Sequence, residues 1–270
     1  MCYIRKSEYL RNTKHTNKTT MKKIFLTIIA AVAMVSMFAS CQEKPEDEKD
    51  KEKEQEPTEA VTIDGNFADW AALKDVASAE LDVDANAYPG MLAMKAYADE
   101  TSIYVYFEYE LQEETPEEGD PFIQTSAPFE IFVDSDGDAT TGGSSWLWSE
   151  VGYEYMLEDE TGFLGEGNTV RDMAETMHIY HFDGVDGKDA WEEGGHLTEL
   201  ELSAYAESAG TVKNGVATVE VAFLRSVVNA SKAGTIAIGI VGYDGTWKTQ
   251  GVLPQGEAAG AVAMLDVTLP

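Results

Sequence analysis

From Val61 to the end, apolar and polar residues alternate in short runs that glycine, aspartate, asparagine and proline interrupt. Nine runs carry the pattern: Leu92 to Ala98, Ile103 to Leu111, Phe129 to Val133, Gly152 to Leu157, Thr176 to Phe182, Leu197 to Leu202, Val216 to Leu224, Thr235 to Tyr243 and Ala261 to Leu269. In the second run Ile103, Val105, Phe107, Tyr109 and Leu111 fall on one face and Tyr104, Tyr106, Glu108 and Glu110 on the other, the period of two that a half-buried strand requires. Only Arg225 to Ser231 reads as a helical turn. Many short strands without long helices predict an all-β, antiparallel two-sheet β-sandwich of jelly-roll-like form over residues 61–270.

The first sixty residues follow other rules. Met21-Lys22-Lys23 is a short basic stretch, and Ile24 to Ala39 is an uncharged apolar run of sixteen residues that ends in small residues before Cys41. This order is a signal peptide, and the run is short of the ~20 residues that a spanning helix needs. Phe38-Ala39-Ser40-Cys41 resembles the lipobox of bacterial lipoproteins, with Phe38 in place of the usual Leu. The resemblance implies cleavage before Cys41 and lipidation of its thiol; an ordinary secretory peptide with an incidental cysteine is the alternative. Residues Met1 to Thr20 lack an apolar run, so Met21 is the expected start and 1–40 the targeting segment. Residues 41–60 contain almost no apolar side chains and are dense in Glu, Asp and Lys, which predicts a disordered tether. Acidic residues so near a lipidated cysteine resemble the export tag of surface lipoproteins in glycan-foraging Gram-negative bacteria; a plain soluble spacer is the alternative. Localisation at the outer membrane through a lipid anchor follows as the expectation.

Charge and cysteine content narrow the partners. The chain has 19 basic and 49 acidic residues; the first forty hold 7 and 1, so the remainder carries 12 − 48 = −36. Such a charge excludes nucleic acid as a partner and repels anionic head groups, leaving the acyl chains at Cys41 as the only expected membrane attachment. With Cys2 removed, Cys41 is the sole cysteine, no internal disulfide can form, and stability must come from a packed core.

Three segments in order carry a family likeness: Ile63-Asp64-Gly65-Asn66-Phe67-Ala68-Asp69-Trp70, Lys95-Ala96-Tyr97-Ala98-Asp99-Glu100-Thr101-Ser102-Ile103-Tyr104-Val105, and Phe129-Glu130-Ile131-Phe132-Val133-Asp134-Ser135-Asp136. Together they resemble family 9 carbohydrate-binding modules and the related DOMON-like sandwiches. The likeness implies a poly- or oligosaccharide partner, bound non-catalytically in loops at one edge or end with aromatic rings stacked on the sugar. The residues themselves place Asp64-Gly65 in a turn and make Phe67 and Trp70 apolar anchors sealing one end of the sandwich.

Two constellations are candidates for chemistry. Asp134, Asp136 and Asp138 alternate in a turn leaving an apolar strand, a spacing that lets three carboxylates converge on a hard cation, calcium fitting best, with a distant donor such as Glu154. The segment is no EF-hand, since Ala139 and Ser145 stand where that loop needs Gly and Glu; a solvated Asp-Gly turn is the alternative. Trp146, Trp148, Trp191 and Trp247 lie in polar, glycine-rich segments and suit the C–H faces of a sugar, with Lys188 and Lys248 nearby. Strand alternation would put Trp146 and Trp148 on one side as a shared platform, while any of the four could instead be core.

Other function classes stay open. DOMON-like relatives that bind haem use Met and His ligands, which draws attention to Met177, His178 and His181; the plainer reading is histidine on a polar strand face. A carboxylate pair at glycosidase spacing could arise among 48 acidic residues, yet nothing nominates one, and G-x-S-x-G, H-E-x-x-H and phosphate-binding glycine motifs are missing from the sequence. An adhesive or structural lipoprotein is the third alternative. The lipidation expectation is checked directly: Cys41→Ala should release the protein from the membrane fraction or block its maturation, and membrane retention without an acyl group by mass spectrometry would refute it.

Overall fold

A computed structural model describes residues 61–82, 84, 87–110, 128–148, 151–159, 177–200, 206–230, 234–244, 247–255 and 263–270, with the backbone of 171–172. The expected targeting segment, Cys41 and the tether, and the outer ends of four expected strands (Leu111, Thr176, Leu202 and Ala261), lie outside the described residues. The strands are β1 Ala77–Glu80, β2 Met91–Ala98, β3 Ser102–Glu110, β4 Phe129–Asp134, β5 Tyr155–Asp159, β6 Arg171–Asp172, β7 Met177–Phe182, β8 Leu197–Leu200, β9 Ala206–Lys213, β10 Val216–Leu224, β11 Gly234–Tyr243, β12 Thr249–Leu253 and β13 Leu265–Leu269. They form two antiparallel sheets, β1-β2-β3-β10-β9-β6 and β12-β11-β4-β5-β7-β8, with β13 also paired to β11. The fold is the all-β sandwich that the alternation predicts.

Alternation decides what lies between the sheets. The inward positions of β3 and β10 (Ile103, Val105, Phe107, Val219, Val221, Phe223) meet those of β4, β7 and β11 (Ile131, Val133, Ile179, Ile236, Ile238, Ile240) in one buried cluster. Phe107 and Phe129 join the sheets edge to face, with ring centroids 4.8 Å apart. At one side of this seam Tyr109 enters the space that Gly242 leaves, where a Cβ would stand 2.5 Å from the ring, and its hydroxyl donates to the Tyr243 carbonyl at 2.7 Å.

The outer faces are covered too. Residues 61–76 cross the outside of the first sheet, where Val61 and Trp70 bury themselves against Tyr104 and Tyr106. Phe67 and Trp70 therefore cover a sheet face rather than seal an end of the sandwich, because their partners, Tyr104 and Tyr106, are the outward positions of β3. On the second sheet, Leu147, Trp148, Val151 and Tyr153 cover Phe132, Met156, Val241 and Val252.

Four strands escaped the sequence reading, β1, β6, β9 and β12. β9 reads Ala-Glu-Ser-Ala-Gly-Thr-Val-Lys, with too few large apolar residues to show a period, yet eight of its positions pair with β10. β12 holds Gly251, where a Cβ would lie 2.2 Å from the Met91 nitrogen, so close backbone approach rather than β-propensity selects its residues. Arg225 to Asn229 form hydrogen-bonded turns instead of a helical turn, tied by the buried Arg225 side chain, whose Nε and Nη1 donate to the Ala230 and Asp99 carbonyls at 2.8 Å each. The two-sheet seam makes a measurable claim: Phe107→Ala should cost about 3–5 kcal/mol in reversible denaturant unfolding.

Candidate functional site

The strand β4 ends by delivering Asp134 into a turn that its own carboxylates hold together. Asp134 Oδ1 accepts from the Gly137 amide at 2.7 Å, Asp136 Oδ1 from the Asp138 amide at 2.9 Å, and Asp138 Oδ1 from the Thr140 amide and hydroxyl at 3.0 and 2.6 Å. Gly137 and Gly142 take φ of +70° and +69°, the left-handed conformation that the turn needs and glycine supplies without strain. The chain returns through paired Gly143 and Tyr153, and this places Glu154 beside the turn. Glu154 Oε2 accepts from the Ser135 amide at 2.8 Å and its hydroxyl at 3.1 Å.

One carboxylate oxygen from each of Asp134, Asp136 and Glu154 lies within 4.8 Å of the other two. These three residues, rather than Asp134, Asp136 and Asp138, are the set that could hold a hard cation. Asp138 is exposed, turns its carboxylate to Thr140, and presents its main-chain carbonyl to the Thr141 hydroxyl at 2.9 Å. Thr141 Oγ1 also lies 3.2 Å from Asp136 and 3.3 Å from Glu154, bridging two of the three carboxylates. Burial, opposed by the Ser135 amide and reinforced by the charges of Asp136 and Asp134, pushes the Glu154 carboxyl up to about 7. Burial likewise raises Asp134, whereas the hydrogen bonds from Thr140 lower Asp138. A site that disfavours its own negative charge in this way is relieved by a proton or by a cation.

The four tryptophans divide by exposure. Trp146 and Trp191 are 63% and 68% exposed, while Trp148 is 3% exposed. Trp148 is a core residue: it packs edge to face on Phe132 at 5.5 Å, lies over Gly239, where a Cβ would come within 2.6 Å of its ring, and donates from Nε1 to the Pro254 carbonyl at 2.8 Å. The platform expected from Trp146 and Trp148 together does not form, since residues 146–148 turn rather than extend and strand alternation has no hold on them. Trp146 instead meets Tyr88 edge to face at 5.9 Å, a partner 58 positions away that no local pattern flags. Trp247 is half-buried, sits at φ +64° and lies 5.4 Å from Tyr243.

Hydrogen bonds lace the Trp191 loop to the acidic turn. Asp186 accepts from the Gly142 amide at 3.0 Å, Gly187 donates to the Gly142 carbonyl at 2.8 Å, and Ser144 donates to the Lys188 carbonyl at 2.9 Å. Trp146 and Trp191 therefore stand on two loops that are fixed to each other and to the carboxylate group. In the histidine region Met177 is buried between the sheets, and His178 faces the other side, its Nδ1 2.7 Å from Glu199 on β8. His181 packs on Tyr155 at 5.1 Å, and His196 pairs with Asp183, which also accepts from Thr198 at 2.7 Å.

No protein-family model and no curated protein matches the chain. Solved structures do resemble it, two carbohydrate-binding modules among them. One is a family 9 carbohydrate-binding module from Caldicellulosiruptor kristjanssonii in complex with cellotriose, 12% identical over 77% of this chain and 89% of that one, with a TM-score of 0.38. The other is a family 9 module from the same organism in complex with glucose, 11% identical over 78% and 91%, with a TM-score of 0.33.

The raised Glu154 carboxyl fixes the sign of a pH effect. Between its ordinary value and about 7 the folded state binds more protons than the unfolded one, so stability falls as pH rises through that window. In chelator the melting temperature should decline over this range more steeply than in Glu154→Gln. Identical profiles for the two proteins would contradict the assignment.

Proposed function

We propose that this chain is a lipid-anchored, non-catalytic carbohydrate-binding protein of the outer membrane, whose β-sandwich presents a glycan to the cell surface and is steadied by calcium. One observation carries the glycan reading: two indoles, Trp146 and Trp191, stand 63% and 68% exposed on loops that hydrogen bonds hold in place. Large aromatic side chains left in water on rigid loops lose apolar burial in the free protein, and a sugar's C–H face restores it without reordering the chain. Tyr88 beside Trp146 and Lys188 in the Trp191 loop supply neighbouring apolar and polar contacts. Weak affinity at one site suffices where many copies share a surface.

Calcium enters the proposal as a support for the loops. Asp134, Asp136 and Glu154 would supply its carboxylate oxygens, and Thr141 offers a hydroxyl beside Asp136 and Glu154. Because the Gly142 to Asp186 contact adjoins this group, cation binding would stiffen both indole-bearing loops together. The anchor and the outer-membrane location rest on the Phe38 to Cys41 junction and the acidic run after it.

The test pairs binding with stability. Titration of the soluble 61–270 fragment with a panel of polysaccharides should detect binding, and Trp146→Ala or Trp191→Ala should weaken it by about 0.5–1.5 kcal/mol, roughly two- to tenfold, with unchanged melting curves. Trp148→Ala should instead lose about 3–5 kcal/mol of stability. A wild-type fragment that binds no glycan would end the carbohydrate reading.

A further inference from the structure

Residues 61–76 belong to neither sheet. They run as turns and one 3-10 turn, Asp69–Ala71, before β1 begins at Ala77, and they fold back on themselves through the Thr62 amide donating to Asp69 Oδ2 at 3.0 Å. Their apolar residues join Tyr104, Tyr106 and Ala222 in a cluster separate from the seam between the sheets. Beneath them, Glu220 of β10 faces outward from the first sheet, yet it is 0% exposed.

Three donors of the strap converge on that one side chain. The Asp64 and Gly65 amides donate to Oε1 at 2.9 and 2.7 Å, and the Trp70 indole donates to Oε2 at 3.2 Å. The two amides come from a turn in which Gly65 takes φ +80°, so both point the same way. A carboxylate removed from water on an otherwise aromatic face is tolerated only while such donors are present, so the strap and Glu220 depend on each other. The strap is also the sole covalent link from residues 1–60 to the sandwich, and any pull along that segment arrives at Val61 first.

We propose that residues 61–76 are a releasable strap moored by Glu220: a unit that undocks from the outer face of the first sheet while the two-sheet core stays folded, uncovering Tyr97, Tyr104 and Tyr106. The arrangement makes the strap a local opening unit whose stability is set by one carboxylate and a few aromatic contacts, below that of the seam.

Hydrogen exchange on the intact protein tests this. In Glu220→Ala the Asp64 and Gly65 amides should exchange about ten- to a hundredfold faster, the loss expected for hydrogen bonds to a charged acceptor, while β4 and β11 amides keep their wild-type protection. Glu220→Gln, which retains one acceptor oxygen for the two amides and sets an NH2 group against the Trp70 donor, should fall between. Equal loss of protection in strap and core would make the strap part of one cooperative unit and overturn the proposal. Unchanged exchange at Asp64 and Gly65 in both variants would equally overturn it, since Glu220 would then not be the mooring.

Discussion

Trp148 lying across Gly239 is the contact on which the candidate site depends. The indole needs the missing side chain at 239, and its Nε1 needs the Pro254 carbonyl; with both satisfied, Leu147 and Trp148 are pinned to the outer face of the second sheet. The acidic turn and the exposed Trp146 both lie in the stretch that leads to this pin. Two tryptophans only two positions apart thus do opposite work, one buried to hold the loop and one displayed by it.

Backbone amides and hydroxyls take up much of the acidity among the described residues. With a net charge of −30 the chain has too few bases to pair its carboxylates, and the ion pairs formed among the described residues are histidine ones, His178 with Glu199 and His196 with Asp183. Several buried acids among the described residues accept from amides or hydroxyls: Glu220 from the Asp64 and Gly65 amides, Asp134 from the Gly137 amide, Glu130 from the Tyr243 hydroxyl at 2.5 Å. Glu130 and Glu158 even stand directly opposite across β4 and β5, with Tyr180 donating to Glu158 at 3.3 Å. Such contacts survive high salt better than surface ion pairs, because they are short-ranged and shielded from solvent.

The period of two was strong enough in β3, β4, β10 and β11 to announce the strands, and in β3 the face turned to the seam, because each of these strands carries large apolar residues at alternate positions. It failed in β9 and β12, where small residues and glycine make room for a neighbour instead of filling space themselves. The acidic group was largely legible: Asp134 and Asp136 stand in a visible turn and Glu154 was expected as a distant donor, but what brings it in is the pairing of Gly143 with Tyr153, a tertiary contact that spacing cannot encode, and Asp138 turns to Thr140 instead. For the tryptophans the sequence did not give the direction in which each indole points. Whether an indole in a loop points into the protein depends on a glycine 91 residues further on, as Gly239 does for Trp148.

β11 carries two such glycines on opposite faces, Gly239 beneath the Trp148 ring and Gly242 against the Tyr109 ring. Each is locked to an aromatic residue far away in the chain, so neither member of a pair can change alone without a clash or a void. Evolution should therefore alter them jointly. Among distant relatives, where overall identity has faded to the level of chance, the paired gain and loss of Gly239 with Trp148 and of Gly242 with Tyr109 would be a more durable sign of descent than any contiguous motif.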